Sequence, residues 1–81
     1  MDEISIDFTG EPPEVFKMAL FTLIKETMKD IKKEVLENNG KIRLDYNSDN
    51  DIQLRADCRN PETRMKMTVI LQAVLTKIGL N

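Results

Sequence analysis

The 81-residue sequence contains no histidine, no tryptophan and only one cysteine. The missing histidine excludes both the usual general base and the commonest metal ligand. A single cysteine cannot pair within the chain, which excludes a disulfide scaffold. Only three glycines are present, each at an element boundary, and they form no glycine-rich phosphate loop. From these absences we expect a protein that is not an enzyme and that uses no metal or cofactor.

A long apolar run is also missing. The longest apolar stretch, residues 15–24, is interrupted by Lys17 and Thr22 and is too short to span a bilayer. The first residues, Met1-Asp2-Glu3, are acidic where a signal peptide would be basic. We therefore predict no membrane segment and a cytoplasmic location, since an unpaired cysteine suits a reducing compartment.

The net charge is small, with 12 basic and 14 acidic side chains giving −2. This balance by itself indicates no class of partner. A domain of this size buries only about 60–65% of the surface of its unfolded chain. Without a disulfide or a metal, such small domains often gain stability by association. We predict one small domain over residues 1–81 that depends on a partner.

Three short segments alternate apolar and polar residues, which is typical of half-buried strands. The first covers residues 4–8. The second and third, 41–46 and 51–58, flank the turn-forming residues 47–50 and predict a β-hairpin. The inward side of this hairpin is predicted to carry Ile42, Leu44, Tyr46, Ile52, Leu54, Ala56 and Cys58.

Two helices are predicted, one between the first two strands and one after the third. The first begins near Pro13 and meets no breaker before 38–40, where Asn39-Gly40 suits a left-handed cap. A continuous helix over 13–38 would be about 39 Å long. Because the strands reach only about 20–26 Å, this helix should overhang the sheet or bend. The second helix begins at Asn60-Pro61 and ends near Gly79.

The order β-α-β-β-α predicts an α+β fold, a three-stranded sheet with both helices packed on one face. The first strand is expected to pair with one edge of the hairpin. This order resembles that of the small dimerising subunit of the KEOPS tRNA-modification complex. The resemblance is one of topology alone and assigns a role to no residue, and the predicted first helix is longer than that family's.

Apolar residues crowd the first helix, where they occupy eight of the ten positions 15–24. A helix that is apolar nearly all round needs burial on more than one side. An open sheet edge offers a second place for association. We therefore predict a small protein-interaction module (a regulator, an inhibitor or a complex subunit) that most simply forms a homodimer. The predicted interface residues are Val15, Met18, Phe21, Thr22 and Met65.

Nucleic-acid binding is the alternative hypothesis, because basic residues fall on the outward side of the hairpin. The predicted contact residues are Lys41, Arg43, Arg55 and Arg59. Three acids, Asp7, Asp45 and Asp57, share that side, and no aromatic residue projects from it to stack on bases. A solvated face with cross-strand ion pairs is the favoured interpretation.

Two further features, the loop at 45–52 and the single Cys58, each have a structural interpretation and a chemical one. Residues 45–52 place acidic or amide groups at alternate positions, as an EF-hand loop does, but Asn50 replaces the turn glycine and Ala56 the closing glutamate. A hairpin loop is favoured over a weak cation site. Cys58 continues the inward series of the third strand, which favours core packing over a reactive thiol.

Overall fold

A computed structural model of the protein describes residues 3–48 and 50–79. It confirms the predicted α+β fold and the order β-α-β-β-α, with one helix divided. The elements are β1 (Ser5–Thr9), α1 (Glu14–Met28), a 3₁₀ turn (Lys29–Ile31), α2 (Lys32–Glu37), β2 (Lys41–Ser48), β3 (Asp51–Asp57) and α3 (Pro61–Lys77).

The three strands form one mixed sheet in the order β1-β2-β3. β1 pairs with β2 in parallel, with Ile6 opposite Ile42, because the helical segment between them returns the chain to the same end of the sheet. β2 and β3 form the predicted antiparallel hairpin, with Leu44 opposite Leu54. The expected pairing of the first strand with the hairpin is confirmed, and β1 and β3 are the two edges.

Alternation along the strands puts one face of the sheet against the helices. The hairpin residues on that face are buried or half-buried as predicted, and Cys58 is buried at 7% exposure just after β3. Within residues 3–48 and 50–79, no helix covers the opposite face, and its strand residues are exposed except for the half-buried Asp45 and Thr9. Helices α1 and α3 supply most of the remaining core with Leu20, Ile24, Met28, Met67, Leu71 and Val74, and Val35 of α2 and Ile4 before β1 complete it.

The predicted first helix bends rather than overhangs. A 3₁₀ turn at Lys29–Ile31 separates α1 from α2. The longest dimension of the molecule is 32 Å, which is less than the length of the unbroken helix. Met28 before the turn and Val35 after it are both fully buried. The bend therefore allows both parts of the segment to pack on one small core.

Capping hydrogen bonds define the end of α2 and the start of α3. Asn39 adopts the predicted left-handed conformation, with φ of 55°. The N–H of Gly40 donates to the carbonyl of Val35 at 2.8 Å, and that of Asn39 to the carbonyl of Leu36 at 3.3 Å. This pair of bonds is a Schellman cap. At the start of α3, the side chain of Asn60 accepts the N–H of Glu62 at 2.8 Å, as an N-cap should.

Candidate interaction surface between β1 and α1

A shallow groove separates the open edge strand β1 from helix α1. Its lining residues are Ile6, Phe8, Glu14, Lys17, Met18, Phe21 and Thr22. All of them belong to these two elements. Because α1 packs against α3 on its other side, the groove faces away from α3. We call it the β1–α1 groove.

The apolar side chains of the groove are only partly covered. Ile6 and Phe8 point to the helix-bearing face and are half-buried, whereas Ile4 on the same side of the chain is buried. Met18 is 63% exposed. Phe21 is half-buried and lies outside the core cluster. Ile6 and Phe8 pack partly against the core, whereas Met18 and Phe21 add apolar surface that lies outside it.

Two lysines cover the aromatic rings of the groove. The Nζ atom of Lys17 lies 5.1 Å from the ring centre of Phe8, and that of Lys25 lies 5.0 Å from the ring centre of Phe21. These distances are those of cation–π contacts. Long lysine stems can shield apolar surface while their charges stay in water. The rings are thus shielded by flexible side chains, which a partner can displace.

Glu3 ties the segment before β1 to the helices. Its carboxylate lies 2.9 Å from the Nζ of Lys25 and 3.2 Å from the Nζ of Lys32. Hydrogen bonds from these two lysines lower the pKa of Glu3. These ion pairs join the start of β1 to the helical layer, at the end of the strand away from Phe8.

The outer edge of β1 has no neighbouring strand among the described residues. Alternate backbone N–H and C=O groups of an edge strand point outward and can pair with another chain. Asp7 is the only charged residue among the five of β1. An open strand edge and a partly covered apolar groove therefore lie side by side.

The structure brings together three of the five predicted interface residues: Met18, Phe21 and Thr22 line the groove. Val15 is 84% exposed on the same helix but does not line it. Sequence reasoning missed Ile6 and Phe8 as parts of this surface. Their alternation identified the strand, and its pairing with one edge of the hairpin was predicted, but no local pattern indicates that the first helix leaves these two side chains only half-buried.

Met65, the remaining predicted interface residue, lies outside the groove. It is 69% exposed and belongs to the first turns of α3. Two residues earlier, the buried hydroxyl of Thr63 donates to Glu34 of α2 at 2.5 Å. Met65 is therefore near the α2 end of the molecule and does not line the β1–α1 groove.

The predicted nucleic-acid contacts lie on the open face of the sheet, with one exception. Lys41, Arg43 and Arg55 line one depression there, together with Asp7 and Asp57. Arg43 faces Arg55 across the hairpin and Asp7 across the parallel pair. The remaining residue, Arg59, follows the end of β3 in the turn before α3 and lies outside this depression.

The carboxylate of Asp45 contacts two of the basic residues on the open face, Arg43 and Arg55. Its carboxylate accepts the Thr9 hydroxyl at 2.6 Å and the Nε of Arg43 at 3.2 Å, and it lies 4.0 Å from the Nε of Arg55. The hydrogen bond from Thr9, and then the charge of Arg43, lower the pKa of Asp45. Lys41 in turn lies 4.0 Å from Asp57. The cations of this face are therefore largely matched by carboxylates.

The hairpin turn and Cys58 show ordinary structural contacts. Asp49 lies outside the described residues, and the Nδ2 of Asn47 donates to Asp51 at 3.3 Å. Among the residues that the structure describes, no group of three His, Cys, Asp or Glu side chains could hold a metal ion. The Sγ of buried Cys58 lies 3.6 Å from the carbonyl oxygen of Asn38. These contacts join the turn and the end of β3 to the fold.

Comparison with known proteins assigns no family to this chain. Within residues 3–48 and 50–79, no helix combines the length and apolar character needed to cross a membrane. The chain matches no protein-family model, no curated protein and no solved structure.

Proposed function

We propose that this protein is a small, non-enzymatic interaction module that acts as a homodimer, joined through the open edge of β1 and the β1–α1 groove. The partner is a second copy of the chain, whose own β1 extends the sheet and whose own apolar groove residues meet those of the first. The proposal includes a role as a regulator, inhibitor or complex subunit in the cytoplasm, where its single thiol stays reduced.

One observation carries this proposal: the unpaired edge of β1 and the partly covered apolar side chains lie on the same side of the molecule. Addition of a strand satisfies the outward backbone groups of β1. Burial of Met18 and Phe21 in the same step contributes apolar surface at about 25 cal/mol per Å². A strand that pairs with the backbone edge of β1 therefore also buries the apolar side chains of the groove. Neither surface alone provides both backbone hydrogen bonds and apolar burial.

A second copy suits this surface because a two-fold dimer presents the same patch on both partners. The inward side of β1 is apolar at Ile4, Ile6 and Phe8. A copy of β1 therefore continues the apolar face of the sheet under the helices. With one charged residue in five, β1 has little of the charge that protects edge strands from self-pairing.

Sedimentation equilibrium over a concentration series tests the proposal. We expect a reversible monomer–dimer equilibrium for the wild type. Met18→Lys should weaken the dimer about tenfold or more, because it places a charge in the apolar groove. The expected change is in the dissociation constant and not in the circular dichroism spectrum, since Met18 is outside the core.

Met65→Lys is the matched control. Met65 and Met18 are both exposed methionines on helices, at 69% and 63%, but only Met18 lines the groove. The dissociation constant of Met65→Lys should equal that of the wild type. A wild-type protein that stays monomeric at about 0.1 mM would refute the proposal, as would equal effects of the two substitutions.

A further inference from the structure

We infer that the two β1 strands pair antiparallel in one register, with Ile6 facing Ile6 of the other copy and Ser5 facing Asp7, and that Asp7 excludes the register centred on itself. The inference rests on the proposed function, because a register exists only if the β1 strands meet. It makes Asp7 the specificity-determining residue of the interface.

The alternation of β1 restricts the possible registers. Residues directly opposite in an antiparallel pair point to the same face of the sheet. Ile4, Ile6 and Phe8 must therefore face one another, since a slip by one residue would turn the copy's apolar side to the open face. The two-fold axis that relates the copies must then lie at a residue of β1, which faces the same residue of the other copy, and not between two residues. The residues of β1 that can take this central position are Ser5, Ile6 and Asp7.

Charge and strand length separate these three registers. An axis at Asp7 places Asp7 opposite Asp7 of the other copy, and like charges directly opposite each other destabilise a strand pair. An axis at Ser5 pairs Ile6 and Asp7 with residues that precede β1, so only Ser5, Ile6 and Asp7 of the strand take part. The axis at Ile6 avoids the like-charge pair, because it places Asp7 opposite the neutral Ser5, and it also brings Phe8 opposite Ile4.

The register at Ile6 also pairs apolar with apolar residues on the covered face. Ile6 meets Ile6 of the other copy, and Ile4 meets Phe8. Since Ile6, Phe21 and Thr22 all line the groove, the axis passes close to the middle of α1. The two grooves then face each other, and their uncovered side chains share one apolar strip beneath the helical layer.

Both ends of α1 carry charges of both signs, with Glu14 and Lys17 near Phe8 and Lys25, Glu26 and Lys29 near Ile4. A two-fold axis at Ile6 makes the two α1 helices antiparallel and brings these mixed ends together. No block of like charge therefore opposes the register.

Charge changes at Ser5 test the register in the full-length protein. Ser5→Glu creates two repulsive pairs with Asp7 across the axis and should raise the dimer dissociation constant about 2- to 30-fold at low salt. Ser5→Lys creates two attractive pairs and should lower it by a similar factor. Both effects should shrink as salt is added, and sedimentation equilibrium measures them.

Ser5 is exposed on the open face and faces Lys41 of β2, so Ser5→Glu gains a favourable neighbour within the monomer and should fold intact. Ser5→Lys places a like charge opposite Lys41 and should lower the thermal stability of the monomer slightly, while its dimer still becomes tighter. A dimer that weakens while the monomer keeps its thermal stability separates association from folding. Gln53→Lys on the other edge is the matched control, because Gln53 faces Asp45, and its dissociation constant should not change.

The outcomes separate this inference from the proposed function. A wild-type protein that remains monomeric overturns both. A dimer that Met18→Lys disrupts, but that responds equally to Ser5→Glu and Ser5→Lys, leaves the proposed function standing and overturns the register. A dimer weakened by Gln53→Lys and not by Ser5→Glu pairs through β3, which also overturns it.

Discussion

The two edges of the sheet differ in charge and in cover. β3 carries three charged residues among seven, Asp51, Arg55 and Asp57, whereas β1 carries only Asp7. On the covered side of β3, Ile52 is 8% exposed, whereas Leu54 and Ala56 are half-buried. On the covered side of β1, Ile6 and Phe8 are both half-buried. Both edges therefore leave some apolar surface partly covered, and the lower charge of β1 is the main feature that makes it the edge better suited to association.

The helices explain why the cover differs. α3 packs closely on β3, and its Leu71 is 2% exposed. The groove beside β3 is lined on the α3 side by Thr68, Leu71, Gln72 and Leu75. α1 packs directly against α3, and in the groove beside β1 its Met18 is 63% exposed and its Phe21 is half-buried. The 3₁₀ turn allows α1 and α2 to share the core without covering β1 completely.

The largest expected difference between the edges is in stability. Ile52→Ala should lower the free energy of unfolding by about 2–5 kcal/mol, because it empties a buried site. Ile6→Ala should cost about 1 kcal/mol in the monomer, since Ile6 is half-buried. Urea unfolding at low protein concentration measures both. Equal losses would mean that the two edges are equally well covered, contrary to the comparison.

A smaller effect on stability is expected from the hydrogen bond between Thr9 of β1 and Asp45 of β2. The pKa of Asp45 is lowered in the folded state, so the associated stability is complete above its unfolded pKa of 3.8 and is lost as pH falls through the lower, folded pKa. Thr9→Val removes the hydroxyl that donates to this carboxylate. The variant should be less stable than the wild type at pH 7, and the difference should narrow toward pH 2.

Urea unfolding at the two pH values measures this change. Thr68→Val, at an exposed hydroxyl of α3, is the control, and its effect should not depend on pH because Thr68 donates only to a backbone carbonyl. A Thr9→Val deficit that is the same at both pH values would show that Asp45 does not stabilise the attachment of β1.

The smallest effects are expected on the open face, which both edges share. Arg55→Ala should change the free energy of unfolding by no more than about 0.5 kcal/mol, because the ion pair of Arg55 with Asp45 is exposed and long. Binding of labelled RNA and DNA at low salt should be equally weak for the wild type and the variant. Fluorescence anisotropy measures it. Salt-sensitive binding that Arg55→Ala reduces would favour the nucleic-acid hypothesis instead.

Much of the fold could be predicted from local pattern. Strand alternation predicted the inward residues of the hairpin, including the buried Cys58. Helical start and stop residues predicted the left-handed Asn39 and the cap at Asn60. These features depend on the conformational preferences of a few adjacent residues, which is why the sequence displays them.

The candidate site was only partly predictable. Met18, Phe21 and Thr22 were found because the first helix has more apolar residues than one stripe needs. Ile6 and Phe8 were missed, and Met65 was grouped with residues that it does not join. Whether an apolar side chain lies at an open edge depends on which strand is its neighbour, and that pairing joins residues far apart in sequence.

The sequence by itself determined the element order, the buried side of each strand and helix, and the caps, because each follows from periods of two or 3.6 residues and from local turn chemistry. Only the tertiary structure decided that β1 pairs in parallel with β2 rather than with β3, that the first helix divides at Lys29–Ile31, and that Met18 shares a groove with Ile6. These properties arise from fitting several elements around one small core, and no residue pattern within a single element encodes them.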